Sequence, residues 1–189
     1  MKKFVTASVL GVSTLALAAC GADETATADA ANANPITAEE VEAAQIAWGE
    51  GIVAIGQTFT EEGDFSARAA EHIATHYAYG DDATVLFKPT LAAEDQFRED
   101  DAQALSYFVG TEGTEDGGFA IAPYTAVRWE NNGTVIDADG DMAVAMGNYY
   151  FTGTDGNETK VEYSFAYEKD DAGDLKIVLH HSSLPFAAN

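Results

Sequence analysis

Basic residues and cysteine are both scarce in this chain. Its 189 residues include 9 Lys and Arg against 32 Asp and Glu, which gives a formal net charge of −23. Charge of this sign repels a phosphate backbone, so nucleic acid is not an expected partner, and it also argues against docking on an anionic membrane by charge. The single cysteine, Cys20, cannot form an intrachain disulfide or supply a cysteine-rich zinc site.

Long apolar runs are confined to the N-terminus. Residues 4–17 are uncharged and follow two lysines, but they are too short to span a bilayer, which takes about 20 apolar residues. The segment predicts a signal peptide over 1–19. Because Leu17-Ala18-Ala19-Cys20 resembles the bacterial lipobox, we expect Cys20 to be lipidated. The protein would then lie at the bacterial cell envelope, face the periplasm and touch the membrane through its lipid anchor only.

Domain organisation follows from where large apolar residues resume. Residues 21–35 have none, so 20–36 is predicted to be a flexible tether beginning at the lipidated cysteine. Residues 37–187 are then one folded domain, as their length suggests.

Helical signals dominate the first half of this domain. Thr37 and Glu40 form a capping box, and apolar residues at spacings of three and four predict a helix over 38–60. The further predicted elements are a helix from Asp64 or Ser66 to about Tyr77, a strand at 85–87, and a helix at 92–108 with Phe97 in the core.

Strand patterns dominate the second half, where apolar and polar residues alternate between turn signals. The predicted strands are 124–130, 133–138, 142–152, 159–168 and 174–183. Helices followed by a meander of strands indicate an α+β fold, with helices packed on one face of a bent antiparallel sheet.

The last strand carries the most chemistry. Regular alternation places Leu175, Ile177 and Leu179 on one face, and His181 and Ser183 continue that face. An imidazole and a hydroxyl at the end of an apolar face suit a polar pocket. The alternative is that the two side chains only satisfy each other at the strand end.

His72 and His76 are spaced i, i+4 on the second predicted helix, which can place two imidazoles on one metal. With His181 they would form a three-histidine zinc site. The alternative is a pair of half-buried structural histidines. Glu71 precedes the pair instead of lying within it, so this is not the zinc-protease motif.

Five short motifs occur in the order of a known family. The motifs are Leu86-Phe87-Lys88-Pro89-Thr90, Ala104-Leu105-Ser106-Tyr107-Phe108, Val127-Arg128-Trp129-Glu130, Ala145-Met146-Gly147-Asn148-Tyr149 and His180-His181-Ser182-Ser183-Leu184-Pro185. Together they resemble the association-domain type of calcium/calmodulin-dependent kinase II and, within it, the iota-class carbonic anhydrases. The resemblance covers about 38–187.

The resemblance implies a cone-shaped fold like nuclear transport factor 2, a homodimer with packed sheets, and reversible hydration of carbon dioxide to bicarbonate. It assigns the pocket to Thr90, Tyr107, His181 and Ser183. We expect no metal cofactor, with zinc or manganese on the three histidines as the alternative. Two other hypotheses are a non-catalytic oligomerisation or ligand-binding module, and another enzyme that pairs a carboxylate with a histidine.

Overall fold

The computed structural model describes residues 33–80 and 84–187. The predicted signal peptide, the predicted lipidation site Cys20 and most of the predicted tether lie outside these residues. Within the described ranges, no helix is both long and apolar enough to cross a membrane. The boundaries drawn at residues 19 and 36 therefore stay predictions.

Local capping signals set the first two helices. Helix α1 spans Ala38–Thr60, where the Glu40 N–H donates to Thr37 Oγ1 at 3.2 Å and the Thr37 N–H donates to a Glu40 carboxylate oxygen at 2.8 Å. Helix α2 spans Phe65–His76 and is capped by Asp64. The predicted capping box, the bounds of the first helix and one of the two proposed caps of the second are confirmed.

The third helix is shorter than predicted. Helix α3 spans Asp101–Val109, because the Asp100 side chain caps it by accepting from the Gln103 N–H at 2.8 Å. The preceding backbone takes another course, in which the N–H groups of residues 93–95 donate to the Glu115 carboxylate. Phe97 is 57% exposed, so its predicted place in the core is wrong.

Five strands form one sheet in the order β1-β5-β4-β3-β2. The strands are β1 (Leu86–Lys88), β2 (Ala126–Ile136), β3 (Met142–Thr152), β4 (Glu158–Lys169) and β5 (Leu175–Ser183). All neighbours are antiparallel except β1 and β5. The predicted α+β fold, with helices on one face of an antiparallel sheet, is confirmed.

The strands predicted at 124–130 and 133–138 are one strand, β2, and the turn expected between them is a bulge. Pairing with β3 moves from Asn131 opposite Gly147 to Gly133 opposite Met146, which leaves Asn132 as the extra residue. The backbones are close here, since a Cβ on Gly147 would lie 2.3 Å from the Glu130 carbonyl oxygen. Gly147 therefore permits a bulge where the local sequence indicates a turn.

The core lies between the helices and the inner face of the sheet. Trp48 of α1 is fully buried, and its ring centroid lies 5.5–6.5 Å from rings on α2 and on β2 to β5. The opposite, outer face of the sheet exposes Val144 and Met146 of β3. The aromatic rings around Trp48 therefore also surround the part of the core into which β5 directs its polar side chains.

Candidate active site

A bulge in β5 decides which polar residues reach the interior. Opposite β4, Leu179 pairs with Ala166 but Ile177 pairs with Tyr167, so Val178 is an extra residue. One extra residue reverses the side-chain alternation beyond it. The polar residues beyond the bulge therefore face the opposite side of the sheet from the one that regular alternation predicts.

His180 and Ser182 face the core as a result, with exposures of 3% and 2%. His181 is exposed on the outer face, and Ser183 there donates to a Glu162 carboxylate oxygen at 3.0 Å. The prediction that His181 and Ser183 continue the apolar face is wrong, because it assumed a regular strand.

A small pocket lies beside His180 and Ser182. It is narrow, with about 10 Å³ available to the centre of a water-sized molecule. Its lining is aromatic and hydroxyl-bearing: Trp48, Phe87, Pro89, Thr90, Tyr107, Phe108, Phe119, Tyr149, His180 and Ser182. The structure thus brings Thr90 and Tyr107 together with His180 and Ser182, and it does not bring His181 and Ser183 to them. Among residues 33–80 and 84–187 no carboxylate lines the pocket, so the carboxylate–histidine hypothesis has no pair there.

Buried hydrogen bonds hold His180 from its inner side. The Trp48 indole N–H donates to the Tyr77 hydroxyl at 3.0 Å. The Tyr77 oxygen lies 2.8 Å from His180 Nδ1. Tyr77 follows α2 directly and Trp48 lies on α1, so both helices and β5 meet at the imidazole.

Further hydrogen bonds connect His180 to the pocket. Its Nε2 lies 2.8 Å from Ser182 Oγ, which is hydrogen-bonded to the Tyr149 hydroxyl. Thr90 interacts in turn with Tyr149 through its side chain. The Tyr107 hydroxyl accepts from the backbone N–H of Leu91. An imidazole and the hydroxyls of Ser182, Tyr149 and Thr90 are therefore linked in the lining of the pocket.

Burial keeps these groups neutral. Desolvation lowers the pKa of His180 well below its ordinary value, with a smaller contribution from His181. Desolvation raises the pKa of Tyr107 and of Tyr149, although the hydrogen bond to Ser182 opposes the rise at Tyr149. At neutral pH the pocket therefore offers hydrogen-bond donors and acceptors but no ionised base.

The predicted three-histidine metal site does not form. The rings of His72 and His76 lie 4.5 Å apart on α2, but His181 is on the outer face of the sheet. Among residues 33–80 and 84–187, no group of three or more His, Cys, Asp or Glu side chains is placed to hold a metal ion. The bulge that turns His181 outward is the physical reason.

Besides His180 and Ser182, the sequence analysis also missed Trp48, Tyr77 and Tyr149 as residues of the site. Trp48 is part of the apolar stripe of α1 and Tyr149 ends one of the family motifs, so both carried a signal, although not one of chemistry. Tyr77 carried none beyond its place at a helix end. Its role depends on the strand that lies opposite.

Comparison with known proteins identifies the family. A family model described as metal-independent carbonic anhydrase matches residues 39–184. A metal-independent carbonic anhydrase from Nostoc sp. strain PCC 7120 is 44% identical over 155 residues, which are 80% of this chain and 75% of the relative.

Solved structures agree with this. A crystal structure of a cyanobacterial iota-carbonic anhydrase complexed with bicarbonate is similar at 41% identity and a TM-score of 0.77, covering 82% of this chain and 96% of that one. A putative calcium/calmodulin-dependent kinase II association domain from Xanthomonas campestris shares the fold at 24% identity and a TM-score of 0.52, over 84% and 95% of the chains. The predicted carbonic anhydrase activity is confirmed at the level of the family, and the chain belongs to the metal-independent carbonic anhydrases.

Proposed function

We propose that this chain hydrates carbon dioxide to bicarbonate in the pocket formed by Thr90, Tyr107, His180 and Ser182. The observation that carries the proposal is the set of hydrogen bonds linking His180, Ser182 and Tyr149 at the wall of an otherwise aromatic pocket. His180 and Ser182 replace the neighbouring His181 and Ser183 of the assignment made from the sequence.

The size and lining of the pocket suit this substrate. The centre of a water-sized molecule has about 10 Å³ in this pocket, which is about what one water molecule needs, so the pocket admits only very small ligands. Phe87, Phe108 and Phe119 supply an apolar wall for carbon dioxide. The pocket hydroxyls can hold a water molecule at its carbon atom, which supplies proximity.

A neutral pocket points to a concerted hydroxyl relay. As the water oxygen bonds to the carbon of carbon dioxide, one carbon–oxygen π bond opens. A pocket hydroxyl accepts a proton from the water and passes its own proton to the developing oxygen. The product is carbonic acid, which ionises to bicarbonate after release. Prepositioned hydroxyls such as those of Ser182 and Tyr149 would stabilise this transition state without ionising.

Neighbouring residues of β5 provide matched tests. Carbon dioxide hydration is followed by stopped flow with a chelator present, for Ser182→Ala against Ser183→Ala and for His180→Gln against His181→Gln. We expect losses of roughly a hundredfold for the two inward residues and near wild-type rates for the outward ones. Equal losses at outward positions, or full activity without Ser182 and His180, would contradict the proposed site. A folded wild-type protein without activity would favour the hypothesis of a non-catalytic oligomerisation or ligand-binding module.

The outer face of the sheet supports a homodimer. One row crosses it from Val135 to Val144, Ala166, Leu179 and Leu86, each paired with the next across the strands. Val135 is 71% exposed and Leu86 62%, although an apolar row of this kind is normally covered. We propose that a second copy covers it. Sedimentation should give a dimer for the wild type and a monomer for Val144→Glu, and a dimeric variant would contradict this interface.

The remaining proposal concerns location. The lipobox-like Leu17-Ala18-Ala19-Cys20 supports cleavage before Cys20 and attachment of lipid to its thiol. On expression in a bacterium, mass spectrometry should find a lipidated N-terminal cysteine in the membrane fraction of the cell envelope. Cys20→Ser should abolish this modification. An unmodified wild-type cysteine would contradict the anchor.

A further inference from the structure

His180 has two ring nitrogens in different surroundings. Nε2 faces Ser182 at the pocket, whereas Nδ1 faces Tyr77 on the inner side. We propose that Tyr77 is a positioning residue that donates to Nδ1 and so keeps the proton of the neutral imidazole on Nε2, directed at Ser182. This inference rests on the proposed site.

Counting donors assigns the direction of the bonds. The Trp48 indole nitrogen can only donate, so the Tyr77 oxygen accepts from it at 3.0 Å. The Tyr77 hydroxyl also has one proton to donate. Of the two side chains hydrogen-bonded to this hydroxyl, only His180 can accept. Nδ1 is therefore the acceptor, and in a neutral imidazole the proton is then on Nε2.

The other tautomer leaves a buried donor without a partner. With the proton on Nδ1, the Tyr77 oxygen would accept from both Trp48 and His180, and its own hydroxyl proton would have no acceptor among these partners. Tyr77 is 2% exposed, so water cannot readily replace the missing acceptor. The cost of an unsatisfied buried donor favours the Nε2 tautomer roughly tenfold or more.

The packing of aromatic rings around His180 does not select its tautomer, so the hydrogen bonds determine it. The His180 ring stacks on Phe87 with centroids 4.6 Å apart and an interplanar angle of 16°. Phe165 packs edge-on against it at 4.1 Å. These rings fix the plane of the imidazole but donate no hydrogen bond to either nitrogen, so Tyr77 sets its polarity.

The consequence reaches the pocket. Because Nε2–H donates to Ser182 Oγ, the serine proton is available for the Tyr149 oxygen. The Tyr149 proton is then available for Thr90 or for the reacting oxygen. Each group from Trp48 to Tyr149 therefore donates a hydrogen bond to the next group towards the pocket. The relay is thus oriented to give a proton to the developing carboxyl oxygen.

The tautomer is measurable without turnover. In full-length protein labelled with ¹⁵N-histidine, long-range ¹H–¹⁵N correlation distinguishes the two ring nitrogens of His180, which is assigned by its loss in His180→Gln. We expect a protonated Nε2 and a hydrogen-bonded, unprotonated Nδ1. Tyr77→Phe should move the Nδ1 resonance towards that of a nitrogen without a donor. A proton on Nδ1 in the wild type would overturn the inference.

Kinetics supply the second measurement. Tyr77→Phe should lower kcat roughly tenfold with little change in KM, because the indole N–H of Trp48 and Nδ1 of His180 lose the buried hydroxyl that links and orients them. Tyr167→Phe is the matched control, since it also removes a buried hydroxyl, but one outside the pocket. Loss in Ser182→Ala but not in Tyr77→Phe would refute the role of Tyr77 and leave the site standing. Full activity in both would refute the proposed site itself.

Discussion

The guanidinium of Arg98 and the carboxylate of Asp116 form a buried ion pair, with Nη2 and Oδ1 2.6 Å apart and exposures of 2% and 5%. Ser106 on α3 donates to the other Asp116 oxygen at 2.7 Å. The guanidinium also lies 5.8 Å from the centre of the Tyr107 ring. The pair therefore joins the segment after Thr90 to the helix that carries Tyr107.

Removing one charge of this pair should destabilise the fold strongly. Asp116→Asn leaves the buried Arg98 charge with only the exposed Asp95 carboxylate, 3.8 Å away, as counter-ion, and we expect a loss of about 3 kcal/mol in the free energy of unfolding. Urea unfolding measures it, with the exposed Glu112→Gln as a control that should change little. A loss below about 1 kcal/mol would mean that water reaches the guanidinium.

Stability should fall as the pH drops below about 6.5. Burial lowers the pKa of His72, His76 and His180, to about 4 for His76. Below pH 6.5 the unfolded chain therefore binds more protons than the folded one, which costs about 1.4 kcal/mol per histidine and pH unit until the folded-state pKa is reached. Urea midpoints at pH 7.5, 6.5 and 5.5 test this.

Single substitutions assign this pH dependence. His76→Asn should reduce the slope by about one third, because it removes one of three similar contributions. An unchanged slope in His76→Asn would contradict the contribution assigned to the burial of this histidine.

Helices α1 and α2 touch at Gly51 and His72. A Cβ on Gly51 would lie 2.2 Å from His72 Nδ1. Gly51→Ala should therefore destabilise the protein by about 1–3 kcal/mol, which exceeds the gain of up to about 1 kcal/mol in helix propensity. In a His72→Ala background the same change should be neutral or stabilising. Additive effects in this double-mutant cycle would contradict the contact.

The rate of hydration should show no titration near neutrality. Burial holds the pKa of His180 low and the pKa values of Tyr107 and Tyr149 high, so the pocket changes no charge between about pH 6.5 and 9. We expect a flat kcat/KM for carbon dioxide over this range. A metal-bound water would titrate near pH 7, and an inflection there, abolished by a chelator, would refute the relay.

Local signals were sufficient for α1, because Thr37, Glu40 and the apolar spacing all act within one helix. They failed where a partner strand decides. The bulge at Val178 exists only in the register with β4, and the bulge at Asn132 only in the register with β3. Thr90 and Tyr107 could be assigned by resemblance, whereas the choice between His180 and His181 needed that register.

A one-residue change of register normally changes which residue types a strand presents to a site. The doubled His-His-Ser-Ser of β5 would still present a histidine and a serine. If β5 slipped by one residue, His181 and Ser183 would face inward in place of His180 and Ser182, and an imidazole and a hydroxyl two residues apart would still be presented. Insertion or loss of the bulge residue would thus exchange one pair for its twin. The repetition therefore keeps a histidine and a serine in the pocket lining after a one-residue change of register.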